Sequence, residues 1–226
     1  MKISIIVPTF NRSHLLPKAI TDILNQSYGD FELLIIDNFS EDNTEKAVKK
    51  FMEKDRRVKY YKNHNYGIIQ VNRNFGIQKA SGEFVAFCDD DDLWLPLKLE
   101  KQLVEFQKDP KLGLVGTCGK IINDYTKLES KYDTKGGYIS FNKLLRKNPI
   151  IDCSAMVRKE VFENVGLLDE TPETCGVDDY ELWLRIAQKY KVKIVNMPLV
   201  KYRVHQSYWS GNLNTRKGIE NFHLQS

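Results

Sequence analysis

The chain lacks the cysteine patterns that mark a zinc centre or a disulfide-linked scaffold. Among its 226 residues are four widely spaced cysteines with no CxxC pair: Cys88, Cys118, Cys153 and Cys175. Single cysteines spaced in this way are typical of proteins whose thiols stay reduced. We therefore expect a cytoplasmic protein with free thiols.

Long apolar runs are also absent. A membrane-spanning helix needs about 18 to 20 predominantly apolar residues, and the sequence has no such stretch. The apolar start, residues 3–7, is too short for a signal peptide and is followed at once by Pro8. We expect a soluble protein that is at most bound peripherally to the inner face of a membrane.

The sequence has only a small excess of one charge. Its 34 Lys and Arg residues against 30 Asp and Glu residues give a formal net charge of +4 at pH 7. The basic residues are spread along the chain, which argues against nucleic acid as a ligand. A weak positive charge suits a ligand that carries phosphates, or an anionic membrane surface.

No linker, repeat or low-complexity segment divides the chain, so we expect one domain over residues 1–226. In the first half, short apolar runs typical of buried strands alternate with helical patterns. The predicted strands of this half are residues 3–7, 31–36, 58–61 and 83–88. This alternation predicts a mostly parallel, Rossmann-like α/β sheet flanked by helices.

The second half has weaker patterns. Residues 120–148 contain many lysines and the pair Gly136-Gly137, which favours a hairpin or a loop insertion. The predicted strands of this half are residues 112–118, 155–158, 192–195 and 199–204. The periodicity of residues 178–190 predicts an amphipathic helix.

Capping residues predict several helix starts. Ser13 is expected to cap the first helix. Asp42 with Glu45, and Asp178 with Glu181, have the spacing of a capping box, in which the two side chains bind each other's backbone amides. These pairs therefore have a structural explanation.

Four consecutive carboxylates, Asp89, Asp90, Asp91 and Asp92, follow the strand predicted at residues 83–88. Ionised carboxylates in a row repel one another and need a compensating charge. Mg²⁺ or Mn²⁺, which takes one or two carboxylates with phosphate oxygens and water, would supply it. A solvated acidic turn is the alternative. The position beyond the carboxyl end of a buried strand favours metal–phosphate chemistry.

Polar residues also follow the first two predicted strands. Pro8, Thr9, Asn11 and Arg12 lie where a ligand's base or phosphate would bind, although a simple strand-to-helix loop, with Pro8 ending the strand, is the better explanation of this segment taken alone. Asp37 ends the second strand, where a carboxylate can accept a hydrogen bond from a pyrimidine imide.

Three later residues are candidates for function. Arg73 could bind the polar edge or phosphate of a nucleotide, or be a solvated helix arginine. Asp179 follows a glycine-containing loop and is not needed for the predicted cap, so it could act as a general base. His205 could bind a metal or a diphosphate, and a structural role is equally open.

Taken in order, six segments resemble the motif series of the family 2 inverting glycosyltransferases: PTFNR, IIDNFSEDNT, NRNFG, FCDDDDLW, VDDYELWLR and YRVH. The resemblance covers nearly the whole chain. It implies the GT-A fold, a single α/β domain with a small additional sheet on the acceptor side. It also implies a nucleotide-sugar-binding half, residues 1–118, and an acceptor-binding half, residues 119–226.

The resemblance implies inverting transfer of a sugar from a nucleotide-diphospho-sugar, expected to be a UDP-sugar, with Mn²⁺ or Mg²⁺ as cofactor. The expected acceptor is a glycan or lipid-linked glycan in bacterial surface polysaccharide or glycoconjugate synthesis. Thr9, Asp37 and Arg73 match positions that hold the uracil. Asp89 and Asp90 match the stretch near the ribose.

The remaining matches concern the metal and the base. Asp91 matches the metal-binding carboxylate of the DxD motif, and His205 is a second candidate metal ligand. Asp179 matches the catalytic base. The pair that is usually Glu-Asp in the family is Asp178-Asp179 here, which shortens the first side chain.

Two other function classes remain open. A sugar nucleotidyltransferase would need a glycine-rich phosphate loop after the first strand, and PTFNR has no glycine. A non-catalytic nucleotide-sugar-binding module would keep Asp37 and Asp91 but would not need the pair Asp178-Asp179.

Overall fold

The structure, a computed structural model, describes residues 1–126 and 128–204. Its strands are β1 (Ile3–Thr9), β2 (Phe31–Asp37), β3 (Val58–Lys62), β4 (Phe84–Phe87), β5 (Leu93–Trp94), β6 (Leu112–Asn123), β7 (Glu129–Lys131), β8 (Gly137–Ile139), β9 (Met156–Arg158) and β10 (Lys191–Val204). Its α-helices are α1 (Leu16–Leu24), α2 (Thr44–Met52), α3 (Ile69–Lys79), α4 (Lys98–Lys108), α5 (Phe141–Leu144), α6 (Lys159–Val165) and α7 (Asp178–Lys189).

The described strands form one mixed sheet in the order β3-β2-β1-β4-β9-β6-β10-β5, with β7 paired to β6 and β8 to β10. In the first half, β1 lies between β2 and β4, and β2 pairs with β3, all in parallel. Every residue of β1 and β2 is buried, as expected for strands covered by helices on both faces. The predicted Rossmann-like half is confirmed.

Six strands end at the same edge of the sheet. Strand β3 runs parallel to β2, both β4 and β6 run antiparallel to β9, and β6 runs parallel to β10. Consequently β1, β2, β3, β4, β6 and β10 all finish at this edge, which we call the carboxyl edge. Ligands of open α/β sheets bind beyond this edge.

Two hydrophobic cores cover the two faces of the sheet. Ile3, Ile5 and Val7 pack in the core that contains residues of α1, α2 and α4, whereas Ile6 packs in the core that contains residues of α3, α6 and α7. This alternation follows from the two-residue period of a strand. Each fully buried aliphatic side chain contributes roughly 1.5–3 kcal/mol to folding. None of the helices in the described part of the chain is long and apolar enough to span a membrane.

The last strand differs from the prediction. The sequence predicts two strands at residues 192–195 and 199–204, but the structure has a single strand, β10, of 14 residues. Its pairing with β6 shifts between Val195 and Pro198 and again between Pro198 and Val200. Because proline has no amide hydrogen to donate, the ladder is interrupted there without ending the strand.

The predicted caps of the first two helices are wrong. Helix α1 begins at Leu16, and the amide of Ser13 instead donates to Asp42 Oδ2 at 3.0 Å. Asp42 Oδ1 accepts from the amide of Thr44 at 2.9 Å, but Glu45 pairs with lysines and does not complete a box. Asp42 therefore has a structural role, joining the loops that precede α1 and α2.

The capping box predicted for α7 is also wrong. Val177 is the N-cap residue, and its side chain makes no capping hydrogen bond. Asp178 is the first helical residue and its carboxylate binds Arg73, while Glu181 binds Arg185 one turn further on. The Asp178 carboxylate thus binds the buried Arg73 and does not cap the helix.

Glu32 ties three strands together at the opposite edge of the sheet. Its carboxylate is 2% exposed and accepts from Ser4 Oγ at 2.6 Å, from the Ser81 amide at 2.7 Å and from Lys59 Nζ at 2.7 Å. Burial raises its pKa, but these donors outweigh burial and lower the pKa from 4.5 to about 2. The ionised form is therefore the one that stabilises the fold.

We expect Glu32→Gln to lower the free energy of unfolding by roughly 2 kcal/mol at pH 7. Because the folded-state pKa is lowered, this stabilisation is present above about pH 4.5 and is lost as the pH falls toward about 2. Urea denaturation at several pH values measures it. Glu83→Gln, at a carboxylate that is 65% exposed, is the control. Equal acid dependence of the Glu32→Gln variant and the wild type would contradict this role.

Candidate active site

The loops that follow β1 and β2 are bound to each other at the carboxyl edge. Asn11 adopts a positive φ of 53°, a conformation that asparagine tolerates better than most residues. Its Oδ1 accepts from the Glu41 amide at 2.8 Å, and its own amide donates to Ser40 Oγ at 2.8 Å. The Arg12 amide donates to Thr44 Oγ1 at 3.1 Å. These hydrogen bonds join the two loops to each other.

Strand β1 extends further than predicted. Pro8 does not end the strand but pairs with Ile36 inside it, and Thr9 is its last residue. Thr9 Oγ1 donates to Asp90 Oδ2 at 2.7 Å, which joins the ends of β1 and β4. Arg12 Nε lies 3.7 Å from the other oxygen of Asp90.

Asp37 is fully buried at the end of β2. Its Oδ1 accepts from the amide of Ser40 at 3.0 Å and from Ser40 Oγ at 2.6 Å, and Tyr60 donates its hydroxyl to Oδ2. Burial and this hydrogen bond raise the pKa of Tyr60, so the phenol remains a donor. These partners fix the orientation of the carboxylate before any ligand binds.

The four aspartates of the acidic turn have different environments. Asp90 and Asp92 are buried, whereas Asp89 and Asp91 are partly exposed. Burial raises the pKa of Asp90 to about 7; its hydrogen bond from Thr9 acts in the opposite direction. Asp92 Oδ1 accepts from the backbone amide of Arg203 at 2.8 Å. Asp90 and Asp92 therefore hold the turn in place.

Arg73 lies at the centre of a cluster of three carboxylates, of which Asp178 is buried and Asp89 and Asp152 are partly exposed. Its Nη2 is 2.9 Å from Asp89 Oδ1 and 2.6 Å from Asp152 Oδ2, and its Nη1 is 2.7 Å from Asp178 Oδ2. The arginine is only 6% exposed. One guanidinium thus joins α3, the acidic turn, the 3₁₀ turn Asp152–Ser154 and the start of α7. We call Arg73, Asp89, Asp152 and Asp178 the Arg73 cluster.

Asp152 is a member of the cluster that the sequence does not reveal. It lies 79 residues beyond Arg73, shortly after the weakly patterned segment of residues 120–148. Burial raises the pKa of Asp152 well above the ordinary range, although the positive charge of Arg73 acts to lower it. The only signal in the sequence is an aspartate shortly before a predicted strand, which is too common to indicate a site.

Asp179 lies next to the Arg73 cluster. Asp178 is 3% exposed and bound by Arg73, whereas Asp179 is partly exposed. Burial and the neighbouring Asp178 carboxylate raise the pKa of Asp179 to about 6, with Arg73 acting in the opposite direction. A carboxylate with this pKa is ionised at neutral pH and is a better proton acceptor than an ordinary aspartate.

The described residues contain no group of three or more histidine, cysteine or carboxylate side chains arranged to hold a metal. A diphosphate-bound Mg²⁺ or Mn²⁺ does not need such a group, since one or two carboxylates suffice. The partly exposed Asp91, between two buried aspartates, fits that requirement. His205, the other predicted metal ligand, lies outside the described residues.

Residues 4–166 match the protein family described as glycosyl transferase family 2. The chain belongs to glycosyltransferase family 2. It is 34% identical to the Escherichia coli "UDP-Glc:alpha-D-GlcNAc-diphosphoundecaprenol beta-1,3-glucosyltransferase WfgD", over 93% of this chain and 80% of that relative.

Two solved structures share the fold of this family 2 chain. S. aureus TarS 1-349 in complex with UDP-GlcNAc matches with a TM-score of 0.78 at 18% identity, over 94% of this chain and 61% of that one. The mannosyltransferase PcManGT from Pyrobaculum calidifontis, in complex with GDP-Man and Mn²⁺, matches with a TM-score of 0.65 at 19% identity, over 92% and 58%. The predicted α/β GT-A fold is confirmed, and this chain spans about three fifths of either structure.

We expect Arg73→Met in this glycosyltransferase family 2 chain to lower the free energy of unfolding by about 3 kcal/mol, since it leaves the buried Asp178 and the partly buried Asp89 and Asp152 without their cation. Chemical denaturation at pH 7 measures the change. Arg56→Met, at an exposed arginine, is the matched control and should have little effect. Equal stability of the two variants would show that the cluster does not depend on the guanidinium.

Proposed function

We propose that this chain transfers a sugar from a nucleotide-diphospho-sugar, with UDP as the nucleotide, to an acceptor hydroxyl, with inversion at the anomeric carbon. The observation that carries the proposal is the position of Asp179. Its carboxylate is partly exposed and has a raised pKa. It is adjacent to Asp178, whose carboxylate binds Arg73, and Arg73 also binds Asp89 of the acidic turn.

Asp179 is the proposed general base. It accepts the proton of the acceptor hydroxyl as the hydroxyl oxygen attacks the anomeric carbon from the face opposite the diphosphate. The new bond from carbon to the acceptor oxygen forms as the bond from carbon to the diphosphate oxygen breaks. Attack from the opposite face inverts the configuration. Asp178 is a positioning residue, because its carboxylate binds Arg73.

Residues at the ends of β1 and β2 are proposed to hold the nucleotide, with Thr9 and Asp37 at the uracil and Asp89 and Asp90 near the ribose. The fixed orientation of Asp37 supports this role, since a pre-oriented carboxylate loses little entropy on binding an imide N–H. Arg73 is proposed at the uracil on the family match alone, because both of its Nη atoms already bind carboxylates.

Asp91 is proposed to hold Mn²⁺ or Mg²⁺ together with the donor diphosphate, and His205 is the second candidate ligand. When bound, the cation would neutralise the negative charge that develops on the diphosphate leaving group. The buried neighbours Asp90 and Asp92 bind protein donors and orient the turn toward the carboxyl edge.

The proposed acceptor is a glycan or a lipid-linked glycan in bacterial surface polysaccharide or glycoconjugate synthesis, as the name of the E. coli relative suggests. The turn between β6 and β7 lies at the carboxyl edge and exposes Tyr125 (55%) and Leu128 (67%). Amphipathic and apolar side chains beside the site suit peripheral contact with the inner face of a membrane.

Membership of a glycosyltransferase family argues against the sugar nucleotidyltransferase alternative. A non-catalytic nucleotide-sugar-binding module would not need a base with a raised pKa. Measurements of transfer and of donor hydrolysis therefore separate the module from the enzyme.

We expect Asp179→Asn to lower kcat by roughly 10²–10⁴-fold with donor affinity nearly unchanged, because asparagine cannot accept the proton. In the wild type, kcat/KM should fall about tenfold per pH unit below the Asp179 pKa of about 6 and level off above it. Steady-state kinetics between pH 5 and pH 8 test this, with Asp30→Asn, at an exposed aspartate, as the control.

Asp178→Asn provides a second comparison. It removes the negative charge that raises the pKa of Asp179, so the acid limb of the pH profile should move to lower pH. It also removes one partner of Arg73 and should lower stability. A near-wild-type kcat for Asp179→Asn together with a strongly reduced kcat for Asp178→Asn would reverse the assignment within the pair.

We expect Asp91→Asn to abolish metal-dependent transfer while the protein stays folded, because the amide is a poor ligand for a hard cation. Screening UDP-, GDP- and dTDP-sugars for hydrolysis with Mn²⁺ and with EDTA identifies the donor and tests metal dependence together. Full wild-type activity in EDTA would remove the metal from the proposal, and preference for a GDP-sugar would remove UDP.

A further inference from the structure

Arg203 forms hydrogen bonds with the acidic turn at the carboxyl edge of the sheet. It is the penultimate residue of β10, and its side chain is 17% exposed. Its backbone amide donates to Asp92 Oδ1 at 2.8 Å, and its Nε donates to the backbone carbonyl of Asp91 at 2.9 Å. The residue proposed to hold the cation thus has its own peptide group bound by Arg203.

The same side chain extends to the acceptor-binding half. Arg203 Nη1 donates to Asp124 Oδ1 at 2.8 Å, and the Asp124 amide donates to the carbonyl of Val204 at 3.0 Å. Asp124 lies in the turn between β6 and β7. One guanidinium therefore connects the acidic turn, the end of β10 and the β6–β7 turn.

Arg203 acts together with other contacts that hold the acidic turn, since Thr9 binds Asp90 and Arg73 binds Asp89. Within it, the amide of Asp92 approaches the carbonyl of Asp89 at 3.3 Å, a long hydrogen bond. The Asp92 carboxylate accepts from the Arg203 amide through Oδ1 and also has a side-chain hydrogen bond with Cys153. At Asp91 itself, the backbone carbonyl accepts a hydrogen bond from Arg203 Nε.

We propose that Arg203 is a positioning residue for the donor: it fixes the peptide of Asp91 so that the Asp91 carboxylate faces the metal-bound diphosphate. This proposal rests on the proposed function. Partners that orient a metal-binding residue typically affect metal affinity by 10- to 100-fold when they are removed. Arg203 touches neither donor nor cation and acts through Asp91.

The test is calorimetric titration of UDP into the full chain, with Mn²⁺ and with EDTA. Arg203→Lys keeps the charge, but lysine cannot donate to the Asp91 carbonyl and to Asp124 at the same time as the guanidinium does. For this variant we expect the Kd for UDP with Mn²⁺ to rise roughly 10-fold or more. In EDTA the Kd should stay within about twofold of wild type. Asp124→Asn, which keeps an acceptor oxygen, should show a smaller loss of the same kind.

Lys201→Ala is the matched control, since Lys201 lies two residues earlier on β10 and pairs with Glu129. It should bind UDP like the wild type under both conditions. Equal weakening of the Arg203→Lys variant with Mn²⁺ and with EDTA would overturn the proposal in favour of a general structural role, and so would unchanged binding. If wild-type UDP binding itself does not respond to Mn²⁺, the metal part of the proposed function and this inference both fail.

Discussion

The site depends on the ion pairs between Arg73 and three carboxylates from distant parts of the chain. Asp89, Asp152 and Asp178 come from a strand end, a 3₁₀ turn and a helix start, and the shared guanidinium offsets the repulsion between their charges. The cluster sets the distance between the acidic turn and α7. It therefore decides where Asp179 lies relative to the turn that carries Asp91.

The cluster also accounts for the electrostatics of the proposed base. The charge of Asp178 and the burial of the region raise the pKa of Asp179, while Arg73 limits the rise, so that the pKa is about 6. Without the arginine, the base would be protonated over more of the neutral range. Stability and proton affinity at this site thus depend on the same guanidinium, and substitutions in the cluster should change both.

The parallel half of the fold could be predicted from the sequence because its signals are local. Buried strands read as continuous apolar runs, and the helices between them have an apolar face. Several predictions failed because a side chain binds a partner other than the one its local spacing suggests. Asp178 and Glu181 have capping-box spacing, but Asp178 binds Arg73, which is distant in the chain, and Glu181 binds Arg185 one turn further along the helix. Pro198 interrupts the ladder of β10, but the pairing with β6 keeps the strand continuous.

The sequence by itself determined the family, the α/β class and the candidate residues at the strand ends, because these are written in short ordered motifs such as PTFNR and FCDDDDLW. Only the tertiary structure decided how the four aspartates of the acidic turn differ, that Asp152 binds Arg73, and that Arg203 binds the acidic turn. A carboxylate's environment is set by groups that are far away in the chain: Asp92 meets Arg203 across 111 residues. Burial and charge pairing at such distances follow from packing, which no local pattern encodes.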